Sequence, residues 1–169
     1  ITDGTLTSTA NQIITVNPVN DAPTNTVPGA QSTPEDTPRV FSVGNGNAIT
    51  VSDVDGAATP LTTTITVTNG VFNAIAGGGA TISNNGTSIV TISGTAAQIN
   101  AALNGASYAN TPDYFGSATV TVNTTDGTLS NSNTVAMTIN AVADITSDSI
   151  STNEDAAISF NPVAGTNGA

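Results

Sequence analysis

The chain has 169 residues with twelve acidic side chains, one basic side chain (Arg39), no histidine and no cysteine, and its formal net charge is −11. That charge argues against nucleic acid and anionic membrane surfaces as partners, because both are held mainly by Lys and Arg. The composition also excludes disulfides, zinc–thiolate sites, cysteine nucleophiles and histidine-based triads.

Hydrophobic residues make up 37% and charged residues 8%, which is not the balance of a charged disordered chain. Lys, Glu and Leu are scarce, whereas Thr, Val and Ile suit half-buried pleated surfaces, so an all-β chain is expected. In chain order, residues 1–21 carry Leu6, Ile13, Ile14 and Val16, one hairpin's worth of apolar side chains and too few for an independent unit. "NDAP" from Asn20 to Pro23 reads as a linker stiffened by Pro23. Alternating runs then predict strands at residues 39–43, 49–52, 61–68, 71–75, 89–93, 118–124 and 134–140. "VDG", "TNG", "AGGG", "NNG" and "TDG" are the turn signals between them. Many short strands with Gly and Asn turns predict a β-sandwich. One stretch departs from this pattern. "GTAAQINAALNG", residues 94–105, sets Ala97, Ile99, Ala102 and Leu103 at roughly helical spacing, with Thr95 as N-cap and Gly105 as stop. It is expected to be a short helix crossing between the two sheets. Residues 144–169 are again short of core, with Ile150, Ile158, Phe160 and Val163.

The two ends are related to the middle. "TDGTLTSTANQIITVNPVND" at residues 2–21 aligns without a gap to "TDGTLSNSNTVAMTINAVAD" at residues 125–144, an offset of 123. "PEDTPRVFS" at residues 34–42 aligns to "NEDAAISFN" at residues 153–161, an offset of 119. The order of the two matches defines a repeat. Residues 1–21 are the tail of one copy, residues 22–143 a complete copy, and residues 144–169 the head of a third. The chain begins at Ile1 without Met and with no visible signal peptide, so it reads as a mature or excerpted piece.

The acids are not scattered. "ITVSDVDG" holds Asp53 and Asp55 at an i, i+2 spacing near a strand end, which points both to one face. Arg39 alone cannot offset a cluster of carboxylates. A divalent cation with six to eight oxygen ligands can.

The motifs "VNDAP", "PEDT", "ITVSDVDG", "GTAAQINAALNGASYANTPDYFG" and "VTVNTTDGTLS", in that order, resemble the cadherin-like, immunoglobulin-like repeats of giant bacterial surface adhesins and toxin-like exoproteins. The resemblance covers nearly the whole chain. It implies immunoglobulin/cadherin-like β-sandwich repeats joined end to end, with Ca²⁺ rigidifying the junctions, on a cell surface or in extracellular matrix. It also implies where ligands gather. Linker residues Asn20 and Asp21 would meet Asp53 and Asp55 of the following domain, with Asp126 at the same end. The junction at Asp144 would use Glu35 or Asp36 together with Asp113. "VADITSD" departs from the pattern by lacking the Asn and Pro of "VNDAP", and Asp148 stands where a substitute is needed.

Each feature has a plainer reading. Asp126, Asp53 and Asp55 also fit solvated Asp-Gly-type turns, and Glu35 and Asp36 also fit a charged strand edge. Tyr108, Tyr114 and Phe115 would stack a sugar if exposed in a row, but such aromatics are more often core. Asp53 and Asp55 fit poorly as a glycosidase pair, which needs opposed carboxylates across a bound sugar. Asn85 and Asn123 match the N-glycosylation sequon. No apolar run is long enough to span a bilayer. The resulting expectation is a non-enzymatic, secreted or surface-exposed structural repeat whose partners are its own copies or adjacent repeats, and surface glycans at most. A carbohydrate-binding module of a secreted enzyme is the alternative.

Overall fold

The strands follow from β-branched residues at alternate positions. In the computed structural model, which describes Gly4 and residues 10–56 and 59–143, eleven strands and one helix form. They are β1 (Thr24–Thr26), β2 (Gln31–Pro34), β3 (Arg39–Val40), β4 (Thr50–Ser52), β5 (Leu61–Val67), β6 (Gly70–Asn73), β7 (Thr81–Ser83), β8 (Ile89–Gly94), α1 (Ala96–Leu103), β9 (Ser107–Asn110), β10 (Gly116–Thr125) and β11 (Ser130–Asn140). The architecture is all-β with a single helix among the described residues. A six-stranded sheet has the order β2-β11-β10-β5-β8-β7, a second sheet the order β3-β9-β6, and β1 pairs with β4. Neighbours are antiparallel except β2 and β11, which run parallel with Gln31 beside Met137 and Pro34 beside Asn140.

Alternation decides what is buried. β5 buries Leu61, Thr63, Ile65 and Val67, β10 buries Ala118, Val120, Val122 and Thr124, and β11 buries Val135, Met137 and Ile139. The apolar ones among these form one cluster with Phe41, Ile49, Val51, Phe72 and Tyr108 from the other two sheets and their loops. The buried hydroxyls of Thr63 and Thr124 satisfy each other at 2.9 Å.

The helix forms where the spacing predicts it and has a full capping box. Thr95 Oγ1 accepts from the Gln98 N–H at 3.3 Å, and Gln98 Oε1 accepts from the Thr95 N–H at 2.9 Å. Such a cap contributes about 1 kcal/mol. The helix buries Ile99, Ala102 and Leu103, whereas Ala97 faces solvent. It joins β8 to β9 and packs on β8 and β4, strands of different sheets. Asn100 pins β4 with both side-chain atoms, accepting from Val51 N–H at 2.7 Å and donating to Val51 O at 2.9 Å.

Several expectations are corrected. The strand expected at residues 39–43 is only Arg39–Val40, because the loop after Phe41 closes on Asn47, whose Oδ1 accepts the Ser42 N–H at 3.0 Å. Four strands carry too weak an alternation to be read from the sequence. β1 and β2 contain no apolar side chain and bury Asn25 and Thr33 instead. Asn25 Nδ2 donates to Val122 O at 3.1 Å and Asn131 O at 2.9 Å, which fastens β1 to the large sheet. β7 and β9 are short, with one and two apolar residues. Tyr108 is fully buried, as a core residue should be, but Phe115 is 58% exposed. Asn85 of the first sequon is engaged by the Ala74 backbone, accepting at 2.8 Å and donating at 3.0 Å.

Candidate functional site

β10 fixes the geometry of the acids. Phe115 precedes its first residue and Asp126 follows its last, so the two lie at opposite ends of a ten-residue strand, roughly 35 Å apart. The expected ligands divide between these ends.

At the first end, Asp126 closes the β10–β11 turn. Its Oδ1 accepts from the N–H groups of Thr128 at 2.6 Å and Leu129 at 2.8 Å, while Oδ2 accepts from Asn20 Nδ2 at 2.9 Å. Hydrogen bonds to the charged form, from the Leu129 backbone first, then Asn20 and Thr128, hold this carboxyl below its ordinary value of 3.8. Asp53 Oδ1 accepts from the Asp55 N–H at 2.9 Å, and Asp55 Oδ2 accepts from the Asp21 N–H at 2.6 Å. The incoming linker is therefore gripped by both loops, and Asn20, Asp21, Asp53, Asp55 and Asp126 form one chain of contacts.

The depressed value at Asp126 has a sign. Its contribution to stability is present above pH 3.8 and is lost as pH falls through the lower native value. Asp126→Asn keeps an oxygen for the turn but does not titrate. The wild type should therefore melt above the variant at neutral pH, with the gap closing below about pH 4 in a series of melts.

At the other end, Glu35 is 8% exposed and binds the outgoing chain twice. Its N–H donates to Asn140 O at 2.8 Å, and its Oε1 accepts from the Val142 N–H at 2.6 Å. Asp36 Oδ1 accepts from the Asp113 N–H at 3.2 Å, and both residues have left-handed backbones, at φ 57° and 59°. Asp and Asn tolerate that region better than most residues. Asp144 lies outside the described residues, as does Asp148. Arg39 is at neither cluster: its guanidinium donates to Gln31 Oε1 at 3.1 and 2.6 Å.

Among the described residues, no three acidic side chains converge into a group able to hold an ion as they stand. Backbone N–H groups link Asp53 to Asp55, Asp55 to Asp21 and Asp36 to Asp113, while Asp126 and Glu35 hydrogen-bond to no other acid among the described residues. The available donors are carboxylate, amide and carbonyl oxygens, a hard set that suits Ca²⁺ rather than a thiolate- or imidazole-seeking metal. Sequence reasoning read Glu35 as a ligand or a charged strand edge and missed its burial and its grip on Val142. The partner there is a backbone N–H, which leaves no trace in side-chain motifs. No protein-family model matches the chain, and no curated protein matches it. Among the described residues, no helix is long and apolar enough to cross a membrane.

Proposed function

We propose that the chain is a structural repeat of an extracellular bacterial adhesin or fibre, a cadherin- or immunoglobulin-like sandwich stacked end to end with its neighbours. The observation that carries this reading is the division of the acids. One group touches the segment that enters the repeat and the other touches the segment that leaves it. A catalytic cleft would instead gather its polar groups in one place.

The exposed segment before the linker supports the same reading. Ile13, Ile14 and Val16 are 89%, 80% and 83% exposed, yet the 123-residue offset makes Ile14 and Val16 the counterparts of Met137 and Ile139, which are buried in β11. They are the core-facing side chains of a strand that belongs to another copy. Pairing with a neighbouring copy, including strand exchange between chains, would cover them. The carbohydrate-binding alternative needs a row of exposed rings, and among the described aromatics Phe115 alone is more than half exposed.

Ca²⁺ is the proposed cation. Asn20, Asp21, Asp53, Asp55 and Asp126 would hold it at one end, and Glu35, Asp36 and Asp113, with Asp144, at the other. The ion would supply the positive charge that a single arginine cannot. Melting the 169-residue chain in about 5–10 mM CaCl₂ and in EDTA tests this. Affinity typical of extracellular modules gives about 1.4 kcal/mol per site at tenfold excess, a rise of roughly 5 °C per site. An unchanged midpoint would overturn the metal reading.

A further inference from the structure

The linker occurs twice in this chain, once entering a repeat and once leaving it. The 123-residue offset equates Asn17 with Asn140, Val19 with Val142, Asn20 with Ala143, and Asp21 with Asp144. On the outgoing side, Glu35 takes the Val142 N–H at 2.6 Å and gives its own N–H to Asn140 O at 2.8 Å. On the incoming side, Asp55 takes the Asp21 N–H at 2.6 Å and Asp126 takes Asn20 Nδ2 at 2.9 Å.

Superimposed on one linker, these grips fall on consecutive residues. The preceding repeat holds the position of Val142, and the following repeat holds the next two. No free residue remains between them. The two amides held by carboxylates are two residues apart, about 7 Å of extended chain. Flexible linkers let domains reorient because their residues are unheld; a joint with the sequence of Asn20 and Asp21 is held at every position, whereas Ala143 lacks the amide that Asn20 offers and keeps only the backbone grips on either side. Three of the four bonds end on a carboxylate, which makes them shorter and stronger than neutral ones.

We propose that this two-sided hydrogen-bond clasp, rather than a bound cation, sets the register of the joint between adjacent repeats, so that removing divalent ions leaves the spacing intact. The proposal rests on the tandem-repeat reading but is independent of whether the acids bind Ca²⁺.

Inserting a second copy of residues 20–142 directly after Val142 gives a chain with two complete repeats and one joint. The protein has no cysteine, so Ser88→Cys in each copy provides a unique pair for spin labels. Pulsed electron resonance should give one narrow distance, with the same mean in CaCl₂ and in EDTA. Glu35→Ala in the first copy with Asp55→Ala in the second should broaden it several-fold in EDTA. Glu35→Gln with Asp55→Asn should restore the narrow distance, since each amide keeps an oxygen acceptor while losing the charge a cation needs. A distribution that is narrow in CaCl₂ and broad in EDTA for the unmutated joint would overturn the clasp, as would one broad in both. Failure of the Ca²⁺ reading looks different: a narrow distance throughout, with a melting midpoint indifferent to CaCl₂.

Discussion

Tyr108→Ala should lower the thermal midpoint by about 15 °C, from a loss of about 4 kcal/mol. Tyr108 is fully buried on β9, opposite Phe72 on β6 and opposite Arg39 on β3. Phe72 in turn lies 6.4 Å from Phe41, ring centre to ring centre. Alanine would leave a void the size of a ring where three strands meet, and close-packed neighbours collapse into such a space only in part. The hydroxyl is a smaller, separate contribution. It donates towards Asn69 O at 2.9 Å and Thr68 O at 3.0 Å, bracing the turn between β5 and β6. Tyr108→Phe keeps the ring and should cost about 1 kcal/mol. It also has a signature in pH. Burial first, and the neighbouring Tyr114 second, push the Tyr108 hydroxyl from 10.0 up to about 12. Above pH 10 the unfolded chain ionises at this position while the folded chain keeps its proton, so stability falls as pH rises towards 12. Melts between pH 9 and 12 should show a shallower decline for Tyr108→Phe than for the wild type.

Gly70→Ala should cost about 3 kcal/mol, or roughly 10 °C, although the change removes only a hydrogen in favour of a methyl. Gly70 opens β6 opposite Asn110. A Cβ there would meet the backbone oxygen of Ala109 and would stand 2.7 Å from Tyr108 Cε2. The oxygen belongs to the β6–β9 ladder and the ring to the packed core, so neither can swing aside. Replacing glycine also stabilises by up to about 1 kcal/mol through the unfolded chain, but the overlap outweighs it. Gly29 provides the contrast. Nothing lies within 4 Å of a Cβ built there, and its φ is not positive. Gly29→Ala should leave the midpoint unchanged or raise it slightly. Equal effects at the two positions, measured by denaturant unfolding, would refute the steric argument.

The sequence was readable in some elements and not in others. "LTTTITV" alternates cleanly, so β5 and its buried face are plain. "TNT" and "QSTP" do not alternate in hydrophobicity at all. β1 and β2 are held by the amide of Asn25 and by a parallel partner, neither of which a hydropathy pattern encodes. Gly70 looks like one half of an Asn-Gly turn, and its close approach to Tyr108 is visible only once β6 and β9 are paired. At the ends of the repeat, the resemblance to junction motifs and the i, i+2 spacing pointed to Asp53, Asp55, Asp126 and Glu35, and the structure places each of them in contact with the entering or leaving segment or with its neighbour. The backbone N–H groups of Asp21 and Val142, which complete the contacts, are identical in every residue but proline and carry no signal.

The parallel pairing of β2 with β11 has a mechanical consequence. The chain enters the repeat at the end of Asp126 and leaves at the end of Glu35, and β2 and β11 both run in that direction. A force drawing the two ends apart would slide these strands along each other in opposite senses. The four aligned residue pairs from Gln31–Met137 to Pro34–Asn140 would be loaded together in shear. An antiparallel terminal hairpin would open from its tip, one bond after another. In this arrangement β2 and β11 would resist such a force through all four pairs at once rather than one pair at a time.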